Sequence, residues 1–176
     1  SPIGLLSKNC AHWIIADLAI WMAGHVSVPL YPTQTADSTR QVLEHSDTCA
    51  VFIGKLDDWQ NIRGGVPLDM PWIGLPLAPD DDNITPWQLL QDRNAALEAI
   101  ATPTEDQLAT IVYTSGTTGM PKGVMLSFGS MYLSANNGLR LFNISAEDRL
   151  LSYLPMSHVA ERQFIEIASL LSGQQV

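Results

Sequence analysis

Short apolar runs alternate with segments whose apolar residues recur every three or four positions, and this alternation organises the first third of the chain. Ile3 to Ser7 reads as a strand. Asn9 is a good N-cap for a helix with apolar positions at Trp13, Ile14, Leu18, Trp21 and Met22, closing at Gly24. Val26 to Leu30 gives a second strand, in which Pro29 limits pairing. Tyr31 to Thr33 then turns the chain into a helix from about Ala36 to His45, and Ala50 to Ile53 gives a third strand. Strand, helix, strand, helix, strand with short links predicts an α/β fold: a mostly parallel sheet with helices on its faces and right-handed crossovers.

From Lys55 to Pro103 the pattern loosens, with Gly64-Gly65, prolines at 67, 71, 76, 79, 86 and 103, and the triplet Asp80-Asp81-Asp82. This stretch reads as loop, with one helix from Thr85 or Pro86 to about Ile100. The triplet lacks the spaced partners of a cation loop and reads as a solvated turn. Residues 1–54, 55–103 and 104–176 are thus expected as three stretches of one domain. Leu108 to Tyr113 is apolar and β-branched, which predicts a buried strand, and a second strand follows over Gly123 to Leu126. Ser127 or Ser130 can cap a helix to about Leu141. A further strand over Arg149 to Leu154 and a last helix to Ser172, capped by Ser157 with Glu161 near its positive end, complete the pattern.

Between the paired strands lies a segment suited to phosphate. Thr114, Ser115, Thr117 and Thr118 offer hydroxyls, Gly116, Gly119 and Gly123 allow close backbone approach, and Lys122 adds a mobile cation. From Gln107 to Ala146 there is no Asp or Glu, while Lys122 and Arg140 are present, within a chain of formal net charge −9. An ordinary turn uses the same residue types, so they leave both readings open. The spacing excludes a Walker A loop, because Met120-Pro121 separates Gly119 from Lys122 and Gly123 stands where Ser or Thr is required.

Composition narrows the class. A hydrophobic content of 46% in 176 residues supports a globular chain with one sizeable core. The acidic balance and the absence of a basic stripe argue against a polynucleotide partner. Cys10 and Cys49 sit in apolar contexts and read as free buried thiols, fitting a cytoplasmic setting. No apolar run approaches the roughly 18 residues of a spanning helix, so any membrane contact is expected to be peripheral.

Tyr113 to Val124, taken whole, closely resembles the AMP-binding signature of the adenylate-forming enzymes: acyl-CoA synthetases, luciferases and peptide-synthetase adenylation domains. Gly24 to Thr33 resembles the Val-Pro-Leu-Tyr-Pro run of acyl-CoA synthetases and is read as structural, with no chemistry assigned. Leu151 to Arg162 resembles the Leu-Pro-Leu-x-His-x-x-Glu-Arg run of long-chain acyl-CoA synthetases. A lone His at such a junction is usually an ordinary, satisfied histidine; the resemblance implies instead that His158 borders the reacting carboxylate and that Glu161 and Arg162 help fix the helix. Two departures, Phe128 where His is frequent and the small Ser157 and Ala160, bear on the shape of the acyl pocket.

The resemblance implies a partial N-terminal domain of a long-chain fatty acid–CoA ligase. A fatty acid carboxylate would attack ATP to give acyl-adenylate and pyrophosphate, and coenzyme A would then displace AMP, with Mg²⁺ sharing the phosphate charge. Thr114, Ser115, Gly116, Thr117, Thr118 and Gly119 would cradle the phosphates, Lys122 would serve as catalytic cation, and His158 and Glu161 would lie at the substrate. The family's adenine-binding, ribose-binding and C-terminal catalytic residues have no counterpart before Val176, and both ends look cut, so the 176 residues alone are expected to be inactive and prone to self-association. A ligase for another carboxylate, or a non-catalytic nucleotide-binding module, are the alternatives.

Overall fold

The computed structural model describes residues 1–114 and 121–176. The predicted opening is present: β1 (Pro2–Leu6), α1 (Ala11–Met22), β2 (Val26–Leu30), α2 (Ala36–His45) and β3 (Val51–Ile53). The Thr35 hydroxyl caps α2 by accepting the Ser38 N–H at 3.2 Å, and Gly24 takes the left-handed conformation, φ +76°, that turns the chain out of α1. Alternation along the strands feeds two cores. Leu6, Val28, Leu30, Val51 and Ile53 meet Val42 and Leu43 of α2 on one face, while Ile3 and Leu5 meet Trp13, Ala16 and Ile20 of α1 on the other.

Two details of α1 differ from expectation. Its N-cap is Cys10, with no side-chain cap bond, because the Asn9 amide is committed elsewhere. Its buried stripe is Trp13, Ala16, Asp17 and Ile20, with Met22 exposed. Asp17 is drawn inside by a buried arginine, which turns the inward face of the helix away from the one apolarity alone selects.

The stretch from 55 to 103 carries more structure than its composition suggests. It holds α3 (Trp59–Ile62), a 3₁₀ turn (Arg63–Gly65), β4 (Trp72–Gly74), β5 (Ile84–Pro86) and α4 (Trp87–Arg93), which ends well before Ile100. Trp59, Ile62, Val66 and Trp72 extend the α2-side core. Asp81 is no solvated turn residue: its carboxylate pairs with Arg63, accepts the Trp59 indole N–H at 3.0 Å and caps the Asn83 N–H at 3.0 Å. That company holds its pKa well below the ordinary carboxylate range, Arg63 contributing most.

β6 (Leu108–Thr114) and β7 (Lys122–Ser127) form an antiparallel pair, followed by α5 (Phe128–Phe142) capped by Ser127. The seven strands lie in the order β5-β4-β3-β1-β2-β6-β7, parallel except for the last pair. Residues 149–154 are not the expected strand. Among the described residues Arg149 makes one isolated bridge, to Gln175, and Leu151 and Tyr153 face solvent, so the segment has no ladder to complete. The last helix, α6, runs from Val159–Glu161 through a π-helical stretch, Arg162–Ile167, to Ala168–Ser172. His158, not Ser157, caps it; the Ser157 hydroxyl is buried without a partner. Cys10 and Cys49 are free thiols, Cys10 half-buried and Cys49 exposed rather than buried. No helix among the described residues is long and apolar enough to cross a membrane.

Candidate functional site

β2 and β6 are parallel neighbours, so the chain leaves both at the same edge of the sheet. Ligands of open α/β sheets bind at that edge, outside the carboxyl ends of the strands. Here it opens into a cavity of about 480 Å³. Tyr31, Thr33, Gln34 and Ser38 line it after β2, Tyr113 and Thr114 at the end of β6, Pro121 on the return, and His158 at the head of α6.

Each polar group is held by a local device. Tyr113 is buried, and its hydroxyl lies 2.7 Å from Nδ1 of His45 at the end of α2; burial pushes its phenol pKa above the ordinary value. Burial raises the Tyr31 phenol likewise. Both phenols therefore stay neutral and serve as hydrogen-bonding walls. His158 spends Nδ1 accepting the Ala160 N–H at 3.2 Å, which assigns the proton of a neutral ring to Nε2. A histidine so capped keeps a fixed ring plane beside the cavity.

The structure brings together Thr114 and His158, which lie 44 positions apart in sequence, in one cavity. Lys122 opens β7 in register with Thr114, so the two span the mouth of the hairpin, and its side chain is exposed. Ser115, Gly116, Thr117, Thr118 and Gly119 lie outside the described residues. Glu161 is not among the residues lining the cavity: it is buried and accepts the Ser152 hydroxyl at 2.6 Å. Among the described residues no group of three or more His, Cys, Asp or Glu is placed to hold a metal ion.

Sequence reasoning passed over Tyr31 and Thr33, treating their run as structural. Their position just beyond a parallel strand was the available signal. It also left most of one buried cluster unread. Arg162, 1% exposed, donates to Asp17, to Glu166 at 3.2 Å, to the Thr110 hydroxyl at 2.6 Å and to the Ser27 hydroxyl at 3.2 Å. The Trp13 and Trp21 rings lie 5.4 and 5.3 Å from its guanidinium carbon. Ser27 and Thr110 are the one register pair of the β2–β6 seam among the described residues, so this guanidinium reinforces a ladder that Pro29 leaves sparse. Burial, together with the neighbouring Asp17, pushes the Glu166 pKa well above its ordinary value against the pull of Arg162, which favours the protonated carboxyl in this cluster. Arg162 keeps its charge: burial opposes it, but the neighbouring Asp17 and the side-chain hydrogen bonds to Glu166 and Asp17 outweigh that and raise its pKa.

Comparison with known proteins gives this geometry a family. The chain is 30% identical over 174 residues to the long-chain-fatty-acid–CoA ligase ACSBG2 of Rattus norvegicus, covering 90% of this chain and 26% of that protein. It is 31% identical over 174 residues to long chain acyl-CoA synthetase 7 of Arabidopsis thaliana, covering 91% and 25%. The chain therefore spans about a quarter of the length of these curated relatives. Among solved structures, acetoacetyl-CoA synthetase from Streptomyces lividans superposes with a TM-score of 0.83 at 20% identity, over 99% of this chain and 29% of that one, and shares the fold. The O-succinylbenzoate coenzyme A synthetase of Bacillus subtilis, solved in complex with AMP, gives a TM-score of 0.75 at 25% identity over 100% of this chain and 42% of that one. The family model for AMP-binding enzymes matches residues 1–176, the whole of the chain, and with the cavity at the carboxyl ends of β2 and β6 it settles the relationship: the chain belongs to the AMP-binding enzyme family.

Proposed function

We propose that this chain is a segment of an ATP-dependent long-chain fatty acid–CoA ligase. The observation that carries the proposal is the shared cavity: Thr114, at the start of the AMP-binding signature, and His158, of the Leu-Pro-x-x-His run, line one space. The relatives named above, long-chain acyl-CoA ligases, supply the substrate class.

The work of such a site is positioning and charge neutralisation. A carboxylate oxygen attacks the α-phosphorus of ATP, the bond to the β-phosphate oxygen breaks, and pyrophosphate leaves with the electron pair. The coenzyme A thiol then attacks the acyl carbon and AMP departs. Thr114 and the signature residues Ser115 to Gly119 would bind phosphate oxygens, and Lys122 would meet the negative charge growing on the leaving group. His158, with its proton on Nε2, would donate a hydrogen bond to the carboxylate and fix its approach. The described residues form no cage of His, Cys, Asp or Glu for Mg²⁺, which would enter with the nucleotide. Free thiols, one of them exposed, support a reducing, cytoplasmic setting.

The test is carboxylate-dependent exchange of pyrophosphate into ATP by the full-length protein, run across fatty acids of rising chain length. Long-chain acids should stimulate exchange, and Lys122→Ala should lower it by about 100-fold or more. Stimulation by aromatic or amino acids instead would move the protein to another ligase class. Exchange that ignores Lys122→Ala would overturn the assigned role of that lysine.

A further inference from the structure

Asn9 sits where a helix cap is expected and does not cap. Its amide reaches across the sequence instead. Nδ2 donates to the Ser152 hydroxyl at 2.8 Å and to the Leu154 carbonyl at 2.7 Å, and Oδ1 accepts the Met156 N–H at 2.9 Å. The Ser152 hydroxyl passes the chain on by donating to Glu161 at 2.6 Å. One side chain thus grips three alternate positions before His158 and, through Ser152, the first turn after it.

We infer that Asn9 is a positioning residue for His158: it holds the 152–158 segment so that the imidazole faces the cavity shared with Thr114. Three observations carry this. Among the described residues the segment joins no ladder, since Arg149 makes one isolated bridge to Gln175 and residues 151–154 stay irregular. Met156 is 2% exposed and seated in the α1-side core, while the His158 N–H closes a turn onto the Pro155 carbonyl at 2.8 Å. Met156 therefore pins the segment from below and Asn9 from the side. The hydrogen-bond roles also demand an amide, because two donors and one acceptor leave from the same group. Aspartate has the shape and lacks the donors. A serine cap would serve the helix and reach none of the three partners.

The inference rests on the reading of His158 as the carboxylate-side residue, and the experiment separates the two. Asn9→Asp, Asn9→Ala and Ser152→Ala are made in the full-length protein. Each is followed by fatty-acid-dependent pyrophosphate exchange, by thermal midpoint and by hydrogen exchange of peptides covering 150–162 and 36–45. Positioning predicts a fall in kcat of about 10- to 100-fold in both Asn9 variants, a raised KM for the fatty acid and an unchanged KM for ATP. It also predicts lost amide protection at 150–162 alone, with Ser152→Ala showing a weaker version of each effect. Unchanged protection at 150–162, or kinetic constants that fall together in step with the thermal midpoint, would overturn it by making Asn9 a structural tie. Local loss of protection in a protein whose wild type ignores fatty acids would instead sink the substrate assignment and leave the positioning of His158 standing. Should Asn9→Ala fail to fold, Asn9→Asp and Ser152→Ala carry the same outcomes.

Discussion

Two arginines occupy chemically matching clusters on opposite flanks of the sheet. Arg63 pairs with Asp81, lies 5.7 Å over Trp72, and shares its carboxylate with the Trp59 indole. Arg162 pairs with Asp17 between Trp13 and Trp21. The ingredients are the same and the burial is not: the Arg63 side chain is 39% exposed, the Arg162 side chain 1%. Near solvent such a cluster staples an edge, here the β4–β5 end of the sheet. Out of solvent it becomes a point on which α1, β2, β6 and α6 all depend, and every partner lost is a charge or dipole left unsatisfied.

The sharpest way to break the comparison is at its buried end. Arg162→Met should destabilise the protein by about 3–5 kcal/mol, because Asp17 is left as a buried charge with no cation. Urea unfolding would read it as a collapse of the midpoint. Arg162→Lys should recover little, since one ammonium cannot reach carboxylate, carboxyl and two hydroxyls in the planar fork of a guanidinium. Adding Asp17→Leu to Arg162→Met should restore much of the loss. If the single change costs no more than a surface pair, burial is not what separates the two clusters.

At the exposed end, Asp81→Asn should cost on the order of 1 kcal/mol, the range of one charge-assisted hydrogen bond partly shared with water. The pH dependence has a definite sign. Arg63 first, with Asn83 and Trp59, holds the folded Asp81 pKa below its ordinary value of 3.8. Its contribution is therefore complete above that value and is lost only as the pH falls through the lower, folded one. Unfolding followed from neutral to acid should show the wild type and Asp81→Asn converging below about pH 4.

The two clusters also differ in how far the sequence disclosed them. The helix expected at about Ala36 to His45 is found at those bounds, and what sets them is local: Thr35 caps it from just outside and a His closes its last turn. Strands β1 to β3 and the β6–β7 hairpin were legible for the same reason: their signals are local. The strand expected at 149–154 is rich in apolar residues but, among the described residues, has only one isolated bridge to pair with, a fact no window of residues contains. Asn9 carried a correct local signal, the propensity to cap, that three long-range bonds overrode. The Arg162 to Asp17 pairing spans 145 positions, so nothing local to α1 marks Asp17 as an inward residue. Within the site, Thr114 and His158 were found through motif resemblance, whereas Tyr31 and Thr33 required knowing which strand ends meet.

Glu166 supplies the finest distinction, because it is the acid that the exposed cluster does not have. In the folded chain burial, with Asp17 beside it, holds its pKa well above the ordinary 4.5 at which it titrates unfolded. Above that value the folded state holds a proton that the unfolded state has lost, so stability must fall as pH rises, opposite in sign to Asp81. Glu166→Gln keeps the shape, keeps an oxygen for the Arg162 Nε–H and carries its own amide hydrogens toward Asp17. It should leave stability at about pH 5 within roughly 1 kcal/mol of wild type and remove the decline toward about pH 8. Urea midpoints at the two pH values decide it: a wild type that is flat between them would mean that Glu166 ionises in place and that the buried cluster carries a second anion. Its balance would then rest on hydrogen bonds alone, and the contrast with Arg63 and Asp81 would be one of degree.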